Sequence, residues 1–243
     1  MRINFFGTSH GVPEANRRCS SALITLDENH RYFIDMGTCS IENLVTCGIS
    51  VDSIKAIFLT HMHGDHTNGL IDFLDLCSWY YRSATPSVFF PETDGIEPMK
   101  AWLAANGTEM RSDIPLETVH EGVLYDDGIL RVTAFRTTHC RTSYAYLLEA
   151  GGKRVLFTGD LNGGHLDKDF PMQTAQEQPL DLAVCESAHF PTTAYAPIFK
   201  QCKINRVIIN HYQTRAIPNI FELANQVAPL PVSIATDGME VIV

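Results

Sequence analysis

The stretch LTHMHGDHTNGL, residues 59–70, places His61, His63, Asp65 and His66 within six positions. It follows the apolar run Ile57-Phe58-Leu59, which reads as the end of a buried strand. Imidazole nitrogens and carboxylate oxygens are preferred ligands of Zn²⁺ and related borderline metals. Residues two apart in extended backbone point the same way, so His61 and His63 share a direction. Asp65 and His66 fall on the turn that opens the next helix, and Gly64 gives the backbone freedom to turn tightly between the two sets. One ion does not need four such groups split two ways, whereas two ions sharing a loop do. A lone histidine here would be a solvated polar tip; the spacing after a buried strand points to metal.

Two metals need further ligands from other strand ends. His139 follows the run 129–135 in FRTTHC, Asp160 follows 154–157 in VLFTGD, and His211 follows 207–209 in VIINHY. Alternation and composition predict strands near Ile3–Phe6, Ser21–Leu26, Arg31–Asp35, Ala56–Leu59, Val88–Phe90, Ile129–Phe135, Ser143–Glu149, Arg154–Phe157, Leu182–Cys185 and Val207–Ile209. Helices are expected over Thr67–Trp79, Glu92–Asn106, Ala194–Cys202 and Ile220–Val227. The segments Val232–Ala235 and Met239–Val243 read as a closing hairpin around Thr236-Asp237-Gly238. Strands followed by helices in both halves suggest two sheets packed face to face with helices outside.

Composition narrows the class. The 243 residues are 45% hydrophobic and 19% charged, as in ordinary globular chains. The opening MRINFFGTSHG has too short an apolar segment for a signal peptide, and no run approaches the roughly 18 apolar residues of a membrane span. Seven scattered cysteines without a CxxC pair suit reduced thiols in a cytoplasm. A formal charge of −10 argues against long nucleic acids as partners. A small-molecule substrate and no membrane partner are expected.

HMHGDH, together with His139, the FTGD Asp160 and the NHY His211, resembles the metallo-β-lactamase superfamily of binuclear metallohydrolases, over most of the chain. The resemblance implies an α/β fold, a four-layer αββα sandwich, as one hydrolase domain over 1–243 with the site at one edge between the sheets. It implies that His61, His63 and His139 hold one metal, Asp65, His66 and His211 the second, and that Asp160 bridges them. The cofactor expected is two divalent ions, zinc first, with Mn or Fe accepted by the same ligand types. FFGTSHGVPEANRRCSSALITL and YFIDMG are similar to the start of ribonuclease Z-like proteins, with Gly7-Thr8, Gly11-Val12-Pro13 and Ser20-Ser21 at matching places. LAVCESAH and NHYQTR resemble that group's late motifs. His189 thereby matches the family's non-ligand catalytic histidine and Glu186 its acidic partner, although Cys185 stands where a histidine is usual. A polar strand-end loop explains His189 and Glu186 equally well.

The chain also departs from ribonuclease Z. Only the 20 residues Cys140–Gly159 separate His139 from Asp160. They read as a plain hairpin turning at Ala150-Gly151-Gly152, without room for the family's tRNA-grasping arm. The expected function is therefore hydrolysis of a small phosphodiester by a metal-bridging hydroxide. Asp65 would also steer the nucleophile, and His189 with Glu186 would help the leaving alkoxide depart. Thioester or lactone hydrolysis on the same metal pair, and metal or ligand binding without turnover, stay open. Around the core motif, His10 reads as a pocket wall or a surface histidine, and His165, Asp167 and Asp169 as outer support or a polar loop. His30 and His120 read as solvated, and Arg17, Arg18 and Arg215 as anion contacts or surface ion pairs. Trp79, Tyr80 and Tyr81 leave open core packing, a homodimer contact, or a platform for an aromatic substrate.

Overall fold

Among the residues that the computed structural model describes, 1–12 and 14–243, fourteen strands form two seven-stranded sheets. Pro13 of the N-terminal motif lies outside the described residues. The first sheet contains β1 (Arg2–Gly7), β2 (Ser21–Thr25), β3 (Arg31–Met36), β4 (Ile54–Phe58), β5 (Ser87–Phe90), β6 (Leu116–Thr118) and β14 (Glu240–Ile242), ordered β14-β1-β2-β3-β4-β5-β6. The second contains β7 (Gly122–Asp126), β8 (Arg131–Thr137), β9 (Ser143–Ala150), β10 (Lys153–Phe157), β11 (Leu182–Ser187), β12 (Val207–Tyr212) and β13 (Val232–Ile234), ordered β13-β12-β11-β10-β9-β8-β7. Helices α1 (Ser40–Thr46), α2 (Gly64–Trp79) and α3 (Ile96–Ala105) cover the first sheet; α4 (Leu166–Asp169), α5 (Met172–Glu177), α6 (Ala196–Phe199) and α7 (Ile217–Val227) cover the second. The expected four-layer αββα sandwich is what forms.

Strand alternation explains the layers. In β4, Ala56 and Phe58 enter the core between the sheets, while Ile57, like Leu59 just beyond, packs against Leu70, Phe73 and Leu74 of α2. The run is apolar throughout because each of its faces meets a core. Phe58 stacks on Phe89 with centroids 5.0 Å apart and meets the edge of Tyr125 from the opposite sheet at 5.4 Å. Burying one such ring is worth about 1.5–3 kcal/mol. The Tyr146 hydroxyl of β9 donates to the Leu59 carbonyl at 2.6 Å, and the Tyr144 N–H donates to the Thr60 carbonyl at 2.9 Å. These bonds tie the two sheets together beside the HMHGDH loop.

Several sequence expectations shift. The closing hairpin does not form: β13 runs parallel to β12 in the second sheet, whereas β14 runs antiparallel to β1 in the first. Each segment thereby adds an edge strand to a seven-stranded sheet, a larger gain than a two-stranded ribbon. The Asp237 carboxylate in the turn between them accepts from Thr8 N, Thr8 Oγ1 and Arg18 N at 3.0, 2.7 and 2.7 Å. The helix expected over Glu92–Asn106 is α3 preceded by a short turn, and Ala194–Cys202 shortens to α6. Helix α2 begins three residues earlier than expected, at Gly64. Elements α1, β6, β7, α4 and α5 were not foreseen; each is short and carries little periodic signal.

Two bulges direct side chains to one edge of the sandwich. Ser21 pairs with Met36 and Ala22 with Ile34, which leaves Asp35 extra in β3 with φ 58°. Cys185 pairs with Ile209 and Ser187 with Tyr212, so β12 carries one residue more than β11 there, and His211 has φ 45°. Bulges bend a strand and re-aim its side chains. Both of these lie where the sheets approach the HMHGDH loop.

Candidate metal centre

The seven residues expected to hold metal converge. His61 leaves β4 in a backbone bridge to Ser143, His63 caps α2 in extended conformation, and Asp65 and His66 lie in the first turn of that helix. His139 lies in the β8–β9 loop, Asp160 three residues after β10 beyond the left-handed Gly159, and His211 in the β12 bulge. Nitrogen His63 Nδ1 lies 2.9 Å from His61 Nε2 and 3.3 Å from His139 Nε2. Oxygen Asp65 Oδ2 lies 3.3 Å from His66 Nε2 and 3.7 Å from His211 Nε2. Asp160 Oδ2 sits between the two sets, 3.6, 3.7, 3.5 and 3.3 Å from the Nε2 atoms of His61, His139, His66 and His211.

These spacings suit cations. Donors about 2.0–2.1 Å from a common ion at tetrahedral angles lie roughly 3.3 Å apart. The sets His61-His63-His139, His61-His66-Asp160 and Asp65-His66-His211 each bring one donor atom per residue close enough to share an ion. His66 Nε2 is fully buried and makes no well-aligned hydrogen bond, facing the Oδ2 atoms of Asp65 and Asp160 at 3.3 and 3.5 Å instead, as donors turned towards a shared ion do. The residues present therefore fit a divalent metal.

The local field agrees. Burial, reinforced by His66, pushes the His61 imidazole down to about 2, and burial likewise lowers His139. Both keep the unprotonated ring that a metal requires. Burial opposes charge on Asp160, but His211 and His66 outweigh it and hold this carboxyl well below the usual range. Asp65 is also held low, with His66 overcoming its burial. Burial disfavours charge on His66, yet Asp35 and Asp160 together push it upward. Buried carboxylates thus make a position that demands positive charge, and a bound cation would supply it.

Other residues brace the cluster. Asp35, not foreseen as a site residue, accepts from Thr60 N at 2.7 Å and faces His66 Nδ1 at 2.7 Å. An aspartate inside the otherwise apolar YFIDM was the available signal. Thr60 Oγ1 lies 3.0 Å from His61 Nδ1. Asp169 is buried and accepts from Thr138 N and Asn162 N at 3.0 and 2.9 Å, which links the loops bearing His139 and Asp160. His165 and Asp167 are exposed and take no part.

Buried Glu186 lies 2.9 Å from Nδ1 of His189, whose Nε2 is 3.8 Å from Asp160 Oδ2 at the mouth of the site. The Glu186 bond raises the His189 pKa. A polar strand-end loop would leave the carboxylate in water, whereas here it is buried.

Arg17 is no free anion contact. Its guanidinium lies 3.7 Å over the Tyr212 ring and donates to the Tyr212 carbonyl at 2.8 Å and to Glu14 at 2.8 Å. Arg18 and Arg215 are exposed. His10 turns inward beside Glu14 at 3.5 Å rather than lying on the surface. His30 is paired with Asp27 at 2.8 Å rather than simply solvated, and His120 is exposed. Trp79 and Tyr80 are exposed at the far end of α2. Fifteen helical rises of about 1.5 Å put them about 22 Å from the cluster, which removes them as a substrate platform.

A family model described as anti-Pycsar protein Apyc1 matches residues 1–181. The chain belongs to that family. Among curated proteins it is 32% identical over 149 residues to ribonuclease Z of Geobacillus kaustophilus (60% of this chain, 48% of that one). It is 29% identical over 172 residues to ribonuclease Z of Listeria monocytogenes (70% and 54%). The chain thus spans about half the length of the curated relatives it matches. Among solved structures, the metallo-β-lactamase fold protein YhfI of Bacillus subtilis has a TM-score of 0.79 at 19% identity, covering 99% of this chain and 98% of that one. Human tRNase Z, short form, has a TM-score of 0.77 at 19% identity, covering 100% and 99%. The metallo-β-lactamase fold and the ribonuclease Z likeness read from the sequence are both borne out. No helix among the described residues is long and apolar enough to cross a membrane.

Proposed function

We propose that this family member is a metal-dependent hydrolase that cleaves a small phosphodiester. His61, His63 and His139 would hold one divalent ion, Asp65, His66 and His211 a second, and Asp160 both. The observation that carries the reading is Asp160 Oδ2, within 3.3–3.7 Å of four imidazole nitrogens from opposite sheets. When bound, such ions polarise a phosphoryl oxygen and lower the pKa of water towards neutrality.

The chain's own groups supply the rest. Asp65, half-buried, presents its carboxylate at the mouth, where it can orient an attacking water. Protonated His189 donates from Nε2 to the departing oxygen, while Glu186 accepts its Nδ1–H and stabilises the positive ring. The ribonuclease name of the relatives denotes phosphodiester cleavage. The β9–β10 hairpin turns on Gly151 and Gly152 alone, with φ 57° and 75°, so the His139–Asp160 segment carries no arm for a folded RNA. The net charge of −10 also disfavours a long polyanion.

Purified protein should carry about two zinc, manganese or iron ions per chain. His63→Ala and Asp65→Asn should each lower turnover of an aryl phosphodiester by about 100-fold or more. Unchanged turnover in either variant, or a preference for thioester or lactone substrates in parallel assays, would overturn the reading.

A further inference from the structure

A cavity of about 30 Å³ lies behind the donor cluster, between the ends of the two sheets. Ser20, Thr60, Asp160, Asn210 and His211 contribute to its wall, with Ile34 and Phe157 as apolar neighbours. His63, Asp65, His139 and His189, which ring the mouth, do not line it. Besides His66, which also lines the cavity, three wall residues, each more than nine-tenths buried, have a side-chain atom without a hydrogen-bond partner among the described residues: Asp160 Oδ1, Asn210 Oδ1 and His211 Nδ1. His66 Nε2 is also without one, but it faces the Oδ2 atoms of Asp65 and Asp160 in the donor cluster.

The other fully buried rings of the cluster differ from His211. His61 Nδ1 is held by Thr60 and His66 Nδ1 by Asp35. Such outer bonds fix the tautomer and leave the lone pair on the nitrogen that faces the metal. His211 has the same need, and no described residue supplies a partner. The β12 bulge brings Asn210 and His211 together: Ile208 enters the core between the sheets and Ile209 the helix side, and the extra residue lets the next two side chains both border the cavity.

We infer that the cavity binds water, and that a water bridging Asn210, Asp160 and His211 makes Asn210 a positioning residue for His211. The inference rests on the functional reading in one respect, the use of His211 Nε2 as a metal donor. The chemistry matches atom for atom. Two unpartnered oxygens accept and one ring N–H donates, while a water donates twice and accepts. A monovalent cation would satisfy the oxygens but repel the N–H. A water needs about 10–15 Å³ and two to four polar partners, and the cavity meets both conditions.

The test compares Asn210→Leu, of similar shape without the amide, with Asn210→Asp, which keeps an oxygen. A high-resolution structure of the zinc-loaded wild type should show a water about 2.7–3.2 Å from all three atoms. Nitrogen-15 spectra should place the His211 proton on Nδ1. In Asn210→Leu the water should be lost and zinc affinity, measured by chelator competition, should fall about 10- to 100-fold. Asn210→Asp should retain the water and most of the affinity. A dry cavity or a cation in the wild type overturns the inference, as does wild-type zinc affinity in Asn210→Leu. If Asn210→Leu does not fold, the wild-type density decides alone. If zinc never reaches His211, the functional reading fails while that density still reports on the water.

Discussion

Glu186 has both carboxylate oxygens committed. Leu161 N–H donates to Oε1 at 2.6 Å, Ala188 N–H to Oε2 at 2.8 Å, and His189 Nδ1 lies within 3.0 Å of each oxygen. One carboxylate thus holds the proposed acid and the backbone next to Asp160. The two roles can be separated. His189→Ala removes only the ring, which stands partly exposed at the mouth, and Glu186 keeps the backbone donors of Leu161, Ala188 and residue 189, so the melting temperature should fall only modestly. Its turnover of an alkyl phosphodiester should drop by about 10²–10⁴-fold, as for loss of a general acid. An activated aryl ester, which needs no proton on its leaving group, should lose far less. Steady-state assays on the pair check this, and an equal loss on both would remove His189 as the acid.

The elements that matter most are two bulged strand ends, one in each sheet. Asp35 and His211 adopt left-handed backbone, which a β-branched residue resists and Asn or Asp tolerates. At Asp35 the geometry turns a carboxylate beneath both Thr60 and His66. Asp35→Val should therefore lose the carboxylate and strain the bulge together. Stripping one partner from a buried pair of this kind costs about 3–5 kcal/mol, which urea unfolding would register. Asp35→Asn keeps an acceptor and the left-handed preference, so it should be distinctly less destabilised. Equal stability of the two variants would show that the bulge geometry carries no strain.

At the scale of the molecule, the proposed ligands join two halves. His61, His63, Asp65 and His66 follow the first sheet, whereas His139, Asp160 and His211 come from the second. A metal held by both sets clamps the edge of the sandwich in the folded state only. At a free concentration of 100 times the dissociation constant such binding is worth about 2.7 kcal/mol. For a chain of this size that corresponds to roughly 5–10 °C in melting temperature. Thermal melts should thus fall by this amount on chelation and recover when zinc returns. Identical melts with and without chelator would contradict a metal shared between the sheets.

HMHGDH, VLFTGD and VIINHY were legible because each is local: an apolar run that must be buried, followed at once by a ligand-type residue that must not be buried alone. The layer order was legible for a related reason, since strands buried on both faces need helices outside them. Asp35, Asn210 and the water cavity were not legible. Their roles arise where registers slip by one residue, and slippage depends on what the neighbouring strand presents. The split of β13 and β14 between two sheets was hidden likewise, because the turn between them fits a hairpin equally well and only their long-range partners choose. The sequence by itself determined which residues could bind metal and on which strand ends they stand. Tertiary structure alone decided how those ends meet and which buried groups support them, because hydrogen-bond partners far apart in the chain are matched only when the sheets pack.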